Sequence, residues 1–394
     1  MHDDRATRRQ ANPPTRQVPR GLLEDWRRAQ EELESFLDNV GADSSAHAVA
    51  AWVQPQVITS AEEWTDYLAP KVAKDGLWNF ATGSYEDGKR VGFALPVTME
   101  DSSDPYDFLL VDVHSLMGAW WLMCAWRARE LARATAYLTD NADTVAAAAC
   151  ARPLVETAAA TWADANRLAT SWGQMKCGGA PSRNAAFLAN WRGLHLLLRE
   201  VHHGAKFDDR APEEKATWGR IARSNVLGQV ERLGKAGCPH LQSDYQWLCN
   251  TVHPSVGNKL AYTSPPLQHD TKTHIIQYYC GRPTHIRNTD GSVAADQTVG
   301  IATARGVTVA MRALRHTLDA FLRVIDDLGL TSRAPALNRE NCWRKLPASA
   351  QDDPCPCRSG LKVRSCRHVW GESAPTIPQR FSSGNLPPQS QAVQ

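Results

Sequence analysis

Seven apolar side chains, Val307, Met311, Leu314, Leu318, Phe321, Ile325 and Leu328, recur at alternating steps of four and three residues. That spacing is the period of an α-helix with one face to bury. Arg312, Arg315, Asp319, Arg323 and Asp326 occupy the other face, where Arg315 and Asp319 can pair one turn apart. A stripe of this length must be covered by other helices or by a second copy of itself, and cover within the chain is the simpler solution. The fold class that follows is mostly α, a helical bundle.

Further helices are expected over Leu116–Thr139, Ala142–Ser171, Asn184–Val201, Glu213–Lys235 and Ser243–Thr251, and an earlier one over Leu22–Val40, where Trp26, Leu33, Phe36 and Leu37 form the apolar stripe. Between residues 48 and 113 the pattern is mixed. Leu77–Phe80, Val91–Leu95 and Phe108–Val113 are strand-like, with a turn signal at Glu86–Lys89, so a small β-hairpin insertion packed on the helices is expected. The domain organisation that results is a disordered basic arm (1–20), a helix plus mixed α/β segment (21–114), a helical bundle (115–330), a linker containing Pro335 and Pro347 (331–352), a compact cysteine-rich unit (353–370) and a disordered Pro-, Ser- and Gln-rich tail (371–394).

The most apolar window, Ser115 to Trp126, is too short to cross a bilayer and suits a buried helix. The opening residues carry Arg5, Arg8, Arg9, Arg16 and Arg20 without the apolar stretch of a secretory signal, so a cytoplasmic location is expected. Cys124, Cys150, Cys177, Cys249 and Cys280 then read as isolated reduced thiols. A formal net charge of +2 over 394 residues selects no class of partner.

Chemistry concentrates near the C-terminus. Cys355, Cys357, Cys366 and His368 fall within fourteen residues, spaced C-x-C, eight residues, C-x-H. Three thiolates and an imidazole are the donors zinc prefers in a closed tetrahedral site. Pro356 fixes a tight knuckle between the first two cysteines, and Gly360 lets the chain reverse toward Cys366. A unit this small cannot bury enough apolar surface to fold alone, so metal binding supplies its folding free energy. The alternative is a reduced, exposed cysteine cluster in a flexible tail.

The stretch Pro354, Cys355, Pro356, Cys357, Ser359, Gly360, Lys362 and Cys366 resembles the SEC-C motif, a zinc-binding tail found on a protein-export ATPase and on many unrelated bacterial proteins. Arg358 stands where that motif has glycine, and Arg367 separates Cys366 from His368, so Cys342 is a second candidate for the fourth ligand. The resemblance implies structural zinc and a docking role. Arg358, Lys362, Arg364 and Arg367 give the knuckle a basic surface that could meet a protein or a nucleic acid, or that simply offsets the thiolates.

Two further segments carry polar residues that packing does not require. Arg152 and Glu156 sit one turn apart on an expected helix, and His253 and Ser255 flank the Pro254 that ends another. The four could converge on a ligand pocket, or Arg152 and Glu156 could form an internal ion pair with His253 capping its helix. The segments Arg152-x-Leu154-x-Glu156 and Val252-His253-Pro254-Ser255 resemble a bacterial helical family of unknown function near the HEPN ribonuclease bundles. That resemblance implies RNA cleavage by an arginine and a histidine five to seven positions apart. The nearest pairs, Arg199 with His203 and Arg312 with His316, are closer in sequence than that pattern. His202 and His203, being adjacent, point apart on a helix.

No phosphate-cradling glycine loop, nucleophile elbow or H-E-x-x-H helix is present. The function expected is therefore interaction: a zinc knuckle on a semi-flexible tether recruits a protein or nucleic-acid partner, and the bundle supplies homo-oligomerisation or a second binding surface. The rival is a HEPN-like ribonuclease or defence-type effector in which the knuckle delivers the substrate.

Overall fold

The computed structural model describes residues 18–42, 56–58, 78–84, 90–96, 108–181, 186–203, 225–264, 268–270, 275–281, 297–332, 343–344, 346–347 and 349–381. The chain is mostly helical: α1 (Arg20–Asn39), α2 (Phe108–Asp140), α3 (Thr144–Cys177), α4 (Phe187–His203), α5 (Val226–Lys235), α6 (Leu241–Val252), α7 (Val256–Leu260) and α8 (Thr298–Ser332). Among the described residues no helix is long and apolar enough to cross a membrane.

The expected hairpin is present. Strands β2 (Trp78–Ser84) and β3 (Arg90–Pro96) pair antiparallel, Trp78 opposite Pro96 and Ser84 opposite Arg90. Strand β1 (Gln56–Ile58) pairs with the other edge of β3. The turn expected at Glu86–Lys89 lies outside the described residues. A further antiparallel pair, β4 (Gln268–Asp270) and β5 (Ile275–Gln277), was not expected. Phe108–Val113, read as strand-like, is instead the first part of α2. Its Leu110, Asp112 and Val113 are all buried, and so short an apolar run does not by itself distinguish strand from helix.

Helix α8 lies at the centre, packed against α1, α2, α3 and α6. All seven residues of its apolar stripe are fully buried, each side chain stabilising the fold by about 1.5–3 kcal/mol relative to exposure. Tryptophans of α2 key into it. Trp121 Nε1 donates to Leu318 O at 2.8 Å, and the Trp120 and Phe321 rings meet edge to face with centroids 4.8 Å apart. Arg133 of α2 donates to Glu34 of α1 at 2.8 Å, and Arg312 of α8 to Asp25 of α1 at 2.6 Å. The stripe is thus covered inside the chain.

The other face of α8 is not all solvated. Asp326, expected on the exposed side, is fully buried and receives Arg344 Nε and Nη2 at 2.7 and 2.9 Å. Trp343 stacks on Trp121 at 4.7 Å, so this part of the expected linker is anchored to the bundle. The expectation of disorder after Trp370 fails over residues 371–381. Ile377 is buried, Trp162 Nε1 donates to Pro378 O at 3.1 Å, and Phe381 N donates to Ala236 O at 3.0 Å. Gly237 makes the last contact possible: at φ +143°, a Cβ there would run into the Phe381 carbonyl. Residues 382–394, most of the expected N-terminal arm, and Cys342 lie outside the described residues.

Candidate metal centre and a second polar cluster

The knuckle is built from short backbone contacts. Cys355 N donates to Leu361 O at 2.7 Å and Val363 N to Asp353 O at 3.0 Å, closing a small hairpin. Its tip turns through two left-handed residues, Arg358 at φ 62° and Gly360 at φ 78°. Arg358 is the position at which the resembled motif has glycine, and the positive φ is the physical reason glycine suits it. A 3-10 turn, Val363–Ser365, then returns the chain to Cys366.

The donor atoms of Cys355, Cys357, Cys366 and His368 all lie within 4.8 Å of one another, with both leading cysteines buried. Cys355 Sγ is 3.3 Å from His368 Nε2, and Cys357 Sγ is 3.4 Å from Cys366 Sγ. A tetrahedral ion with metal–sulfur bonds of about 2.3 Å sets its ligands roughly 3.5–3.8 Å apart, so the cluster has the size such an ion needs. The group can hold a metal ion.

The electrostatics fit the same conclusion. Burial pushes the Cys355 thiol up to about 12. Burial also opposes ionisation of Cys357, but His368, Ser359 and Cys355 outweigh it and bring that thiol down to about 6. Ionising one sulfur therefore resists ionisation of its neighbour, a conflict that a central cation removes.

What sequence reasoning missed is the support behind His368. Its Nδ1 lies 2.6 Å from Asp327 Oδ1, which turns Nε2 toward the sulfurs and fixes the tautomer a ligand requires. Burial alone would lower the His368 pKa, yet Asp327 and Cys357 raise it to about 10. Asp327 is almost completely buried on α8 and also accepts Trp172 Nε1 at 2.8 Å and Lys176 Nζ at 2.6 Å. Lys176, at 0% exposure, spends its remaining donors on Arg367 O at 2.9 Å and Ser373 O at 3.4 Å, while its own carbonyl accepts Gly371 N at 2.8 Å. Trp370 packs edge to face on Trp172. The knuckle is therefore docked on the bundle by buried charge and aromatic contacts, which overturns the semi-flexible tether. None of Trp172, Lys176 and Asp327 carries a local motif; the apolar outliers Trp370, Ile377 and Phe381 were the only signal that the tail docks.

The basic residues of the knuckle each have an acidic neighbour. Arg358 pairs with Asp319 at 3.3 Å, Lys362 and Arg364 with Asp352 at 3.3 and 3.1 Å, and Arg367 with Glu372 at 3.2 Å.

A second cluster forms where α3 meets the end of α6. Arg152 Nε donates to Glu156 Oε1 at 2.9 Å, Tyr245 OH donates to the same oxygen at 2.7 Å, and Arg152 Nη1 is 3.5 Å from His253 Nε2. Tyr245, not singled out from sequence, is buried; Asp244 beside it is held to α8 by Arg305 Nε at 3.1 Å. Ser255 does not join the cluster. Its hydroxyl turns back to Asn250 O. Of the pairs considered for RNA cleavage, Arg312 is engaged by Asp25, and His316 packs beside Phe381 with its pKa lowered by burial and by Arg315. His202 Nε2 donates to Leu116 O at 3.0 Å.

Comparison of the chain with protein-family models, with curated proteins and with solved structures gave no match. The SEC-C and HEPN resemblances thus rest on the residues that suggested them. Fold and site together define a mostly α-helical protein with a candidate Cys3His metal centre docked on its bundle.

Proposed function

We propose that Cys355, Cys357, Cys366 and His368 hold a structural zinc ion, and that the protein works by binding a macromolecule through the outer face of the knuckle. The observation that carries this reading is the fourth donor, His368, oriented by a buried carboxylate toward three sulfurs within 4.8 Å. Sulfur-rich tetrahedral sites select zinc, and four protein donors leave no position for a reacting water. Binding rather than chemistry is then the role open to the knuckle.

The outer face exposes Leu361 and Val369 among mixed charges. With each base already paired to an acid, this face suits a protein surface better than a phosphate backbone, whose recognition needs unopposed positive charge. Oligomerisation through the bundle would present two such faces at once.

The test is metal content of the full-length protein and of a Cys355→Ser/Cys357→Ser variant. One zinc per chain is expected, lost in the variant while the helical circular dichroism signal persists at low temperature. Leu361→Asp/Val369→Asp should keep zinc and lose the captured protein. No zinc in freshly reduced protein overturns the reading, as does partner capture indifferent to both variants.

A further inference from the structure

The Arg152 cluster lies 24 residues before Lys176 on the same helix, about 36 Å away at helical rise, so it is independent of the metal centre. Two observations separate it from an ordinary ion pair. Glu156 Oε1 holds the guanidinium at Nε and also accepts Tyr245 OH. The guanidinium's Nη edge is left facing His253, whose imidazole is exposed. An oxyanion seated between the two groups replaces that single contact with charge-assisted hydrogen bonds from both. An internal salt bridge explains Glu156 and Tyr245; it gives no reason for an exposed histidine beside Nη1 of the same arginine.

The backbone around the cluster is shaped to place those groups. Pro153 sits inside α3, directly after Arg152, and cannot donate to the carbonyl one turn back. Pro254 releases His253 from α6 into extended backbone at φ −82°, ψ 152°. Gly257 then lets α7 fold against the last turn of α6: a Cβ there would lie 2.9 Å from Asn250 C and Thr251 N. Asn258 Nδ2 closes the turn on Thr251 O at 3.2 Å.

We propose that Arg152 and His253 bind a phosphoryl oxyanion, free phosphate or the phosphate of a small monoester, with Glu156 and Tyr245 as positioning residues. The fork of Arg152 supplies two donors to adjacent oxygens and His253 a third from the side. Glu156 and Tyr245 act through Arg152, by removing the rotational freedom that binding would otherwise have to freeze.

The experiment is equilibrium dialysis of full-length protein with radiolabelled inorganic phosphate and, separately, adenosine 5′-monophosphate, at constant ionic strength. Saturable binding of one equivalent is expected, weakened at least about tenfold by His253→Asn and by Arg152→Lys, which keeps the charge and loses the fork. Glu156→Gln retains acceptors for Arg152 and Tyr245 and should bind at least as well as the parent, whereas Glu156→Ala should not. Tighter binding of the nucleotide identifies an ester site, and equal binding a site for phosphate itself. His253 is exposed, so His253→Asn folds whatever its role. Absence of saturable binding at about 10 mM of either probe, or binding unchanged in His253→Asn and Arg152→Lys, overturns the proposal. Neither outcome depends on zinc, because the Cys355→Ser/Cys357→Ser variant should bind phosphate like the parent.

Discussion

Replacing Lys176 by Met isolates the charge that joins bundle and knuckle. The two side chains have similar volume and flexibility, so the change leaves little cavity and removes mainly the ammonium group. Three bonds go with it, to Asp327 Oδ1 at 2.6 Å, Arg367 O at 2.9 Å and Ser373 O at 3.4 Å. Asp327 keeps Trp172 and His368 as donors but loses its countercharge in a site where neither partner is more than 1% exposed. Breaking a buried pair in this way costs about 3–5 kcal/mol, a shift of roughly two to four powers of ten in an equilibrium constant.

Where that cost appears depends on which unit yields first. Undocking of residues 367–381 exposes Asp327 to water and relieves the unpaired charge, so the loss is capped by the docking free energy of that segment. The expected result is rapid protease cleavage within residues 369–381 of zinc-loaded Lys176→Met, under conditions where the parent is resistant, together with an earlier urea transition. Adding Asp327→Asn to Lys176→Met removes the stranded charge and should recover about 1–3 kcal/mol. Protease resistance and urea midpoint unchanged in the single variant would refute the reasoning, as would a double variant no more stable than the single.

Gly237→Ala forces a Cβ into the Phe381 carbonyl at φ +143°, so the hydrogen bond from Phe381 N to Ala236 O should be lost at a cost of about 1–3 kcal/mol, read as faster amide exchange over residues 377–381 with zinc content unchanged. His114 is fully buried, and burial, helped by Arg344, pushes its pKa down to about 4. The unfolded chain, with an ordinary histidine near 6.5, then binds the extra proton between those values, so stability falls as pH falls through that window. Between pH 7 and pH 4.5 the parent should lose roughly 2.5 kcal/mol more than His114→Gln by urea titration, and parallel curves would exclude this role for His114.

The parts of this structure legible in the sequence are those written in local spacing. The stripe from Val307 to Leu328 announces α8, and the C-x-C and C-x-H pairs announce the candidate metal donors, because each pattern is set by neighbours within a few turns. Asp326 and Asp327 were not legible: they sit on the polar side of an amphipathic helix, and partners far along the chain, among them Arg344 and His368, 18 and 41 residues further on, make them interior residues. Lys176 is more distant still, 151 residues from the carboxylate it pairs with. The Phe108–Val113 segment differs for another reason, since an apolar run of six residues is too short for its periodicity to separate helix from strand. The tail misled through composition: proline and serine argue for disorder, but Trp370, Ile377 and Phe381 suffice once the bundle supplies surfaces to receive them.

The charges of the knuckle bear on what it can recognise. With zinc bound, three thiolates and a divalent ion leave one negative charge, and the Lys176–Asp327 pair beneath them is neutral. Arg358, Lys362, Arg364 and Arg367 each lie against Asp319, Asp352 or Glu372, so none of these bases presents its charge unopposed. Exposed pairs of this kind contribute little to stability, but they remove the field that would draw a polyanion from a distance. Under the proposed binding role, recognition would fall to shape and to the exposed Leu361 and Val369. A partner bound this way should dissociate only slightly faster at 0.5 M than at 0.05 M salt, whereas a nucleic acid held by four free bases would lose affinity steeply over the same range.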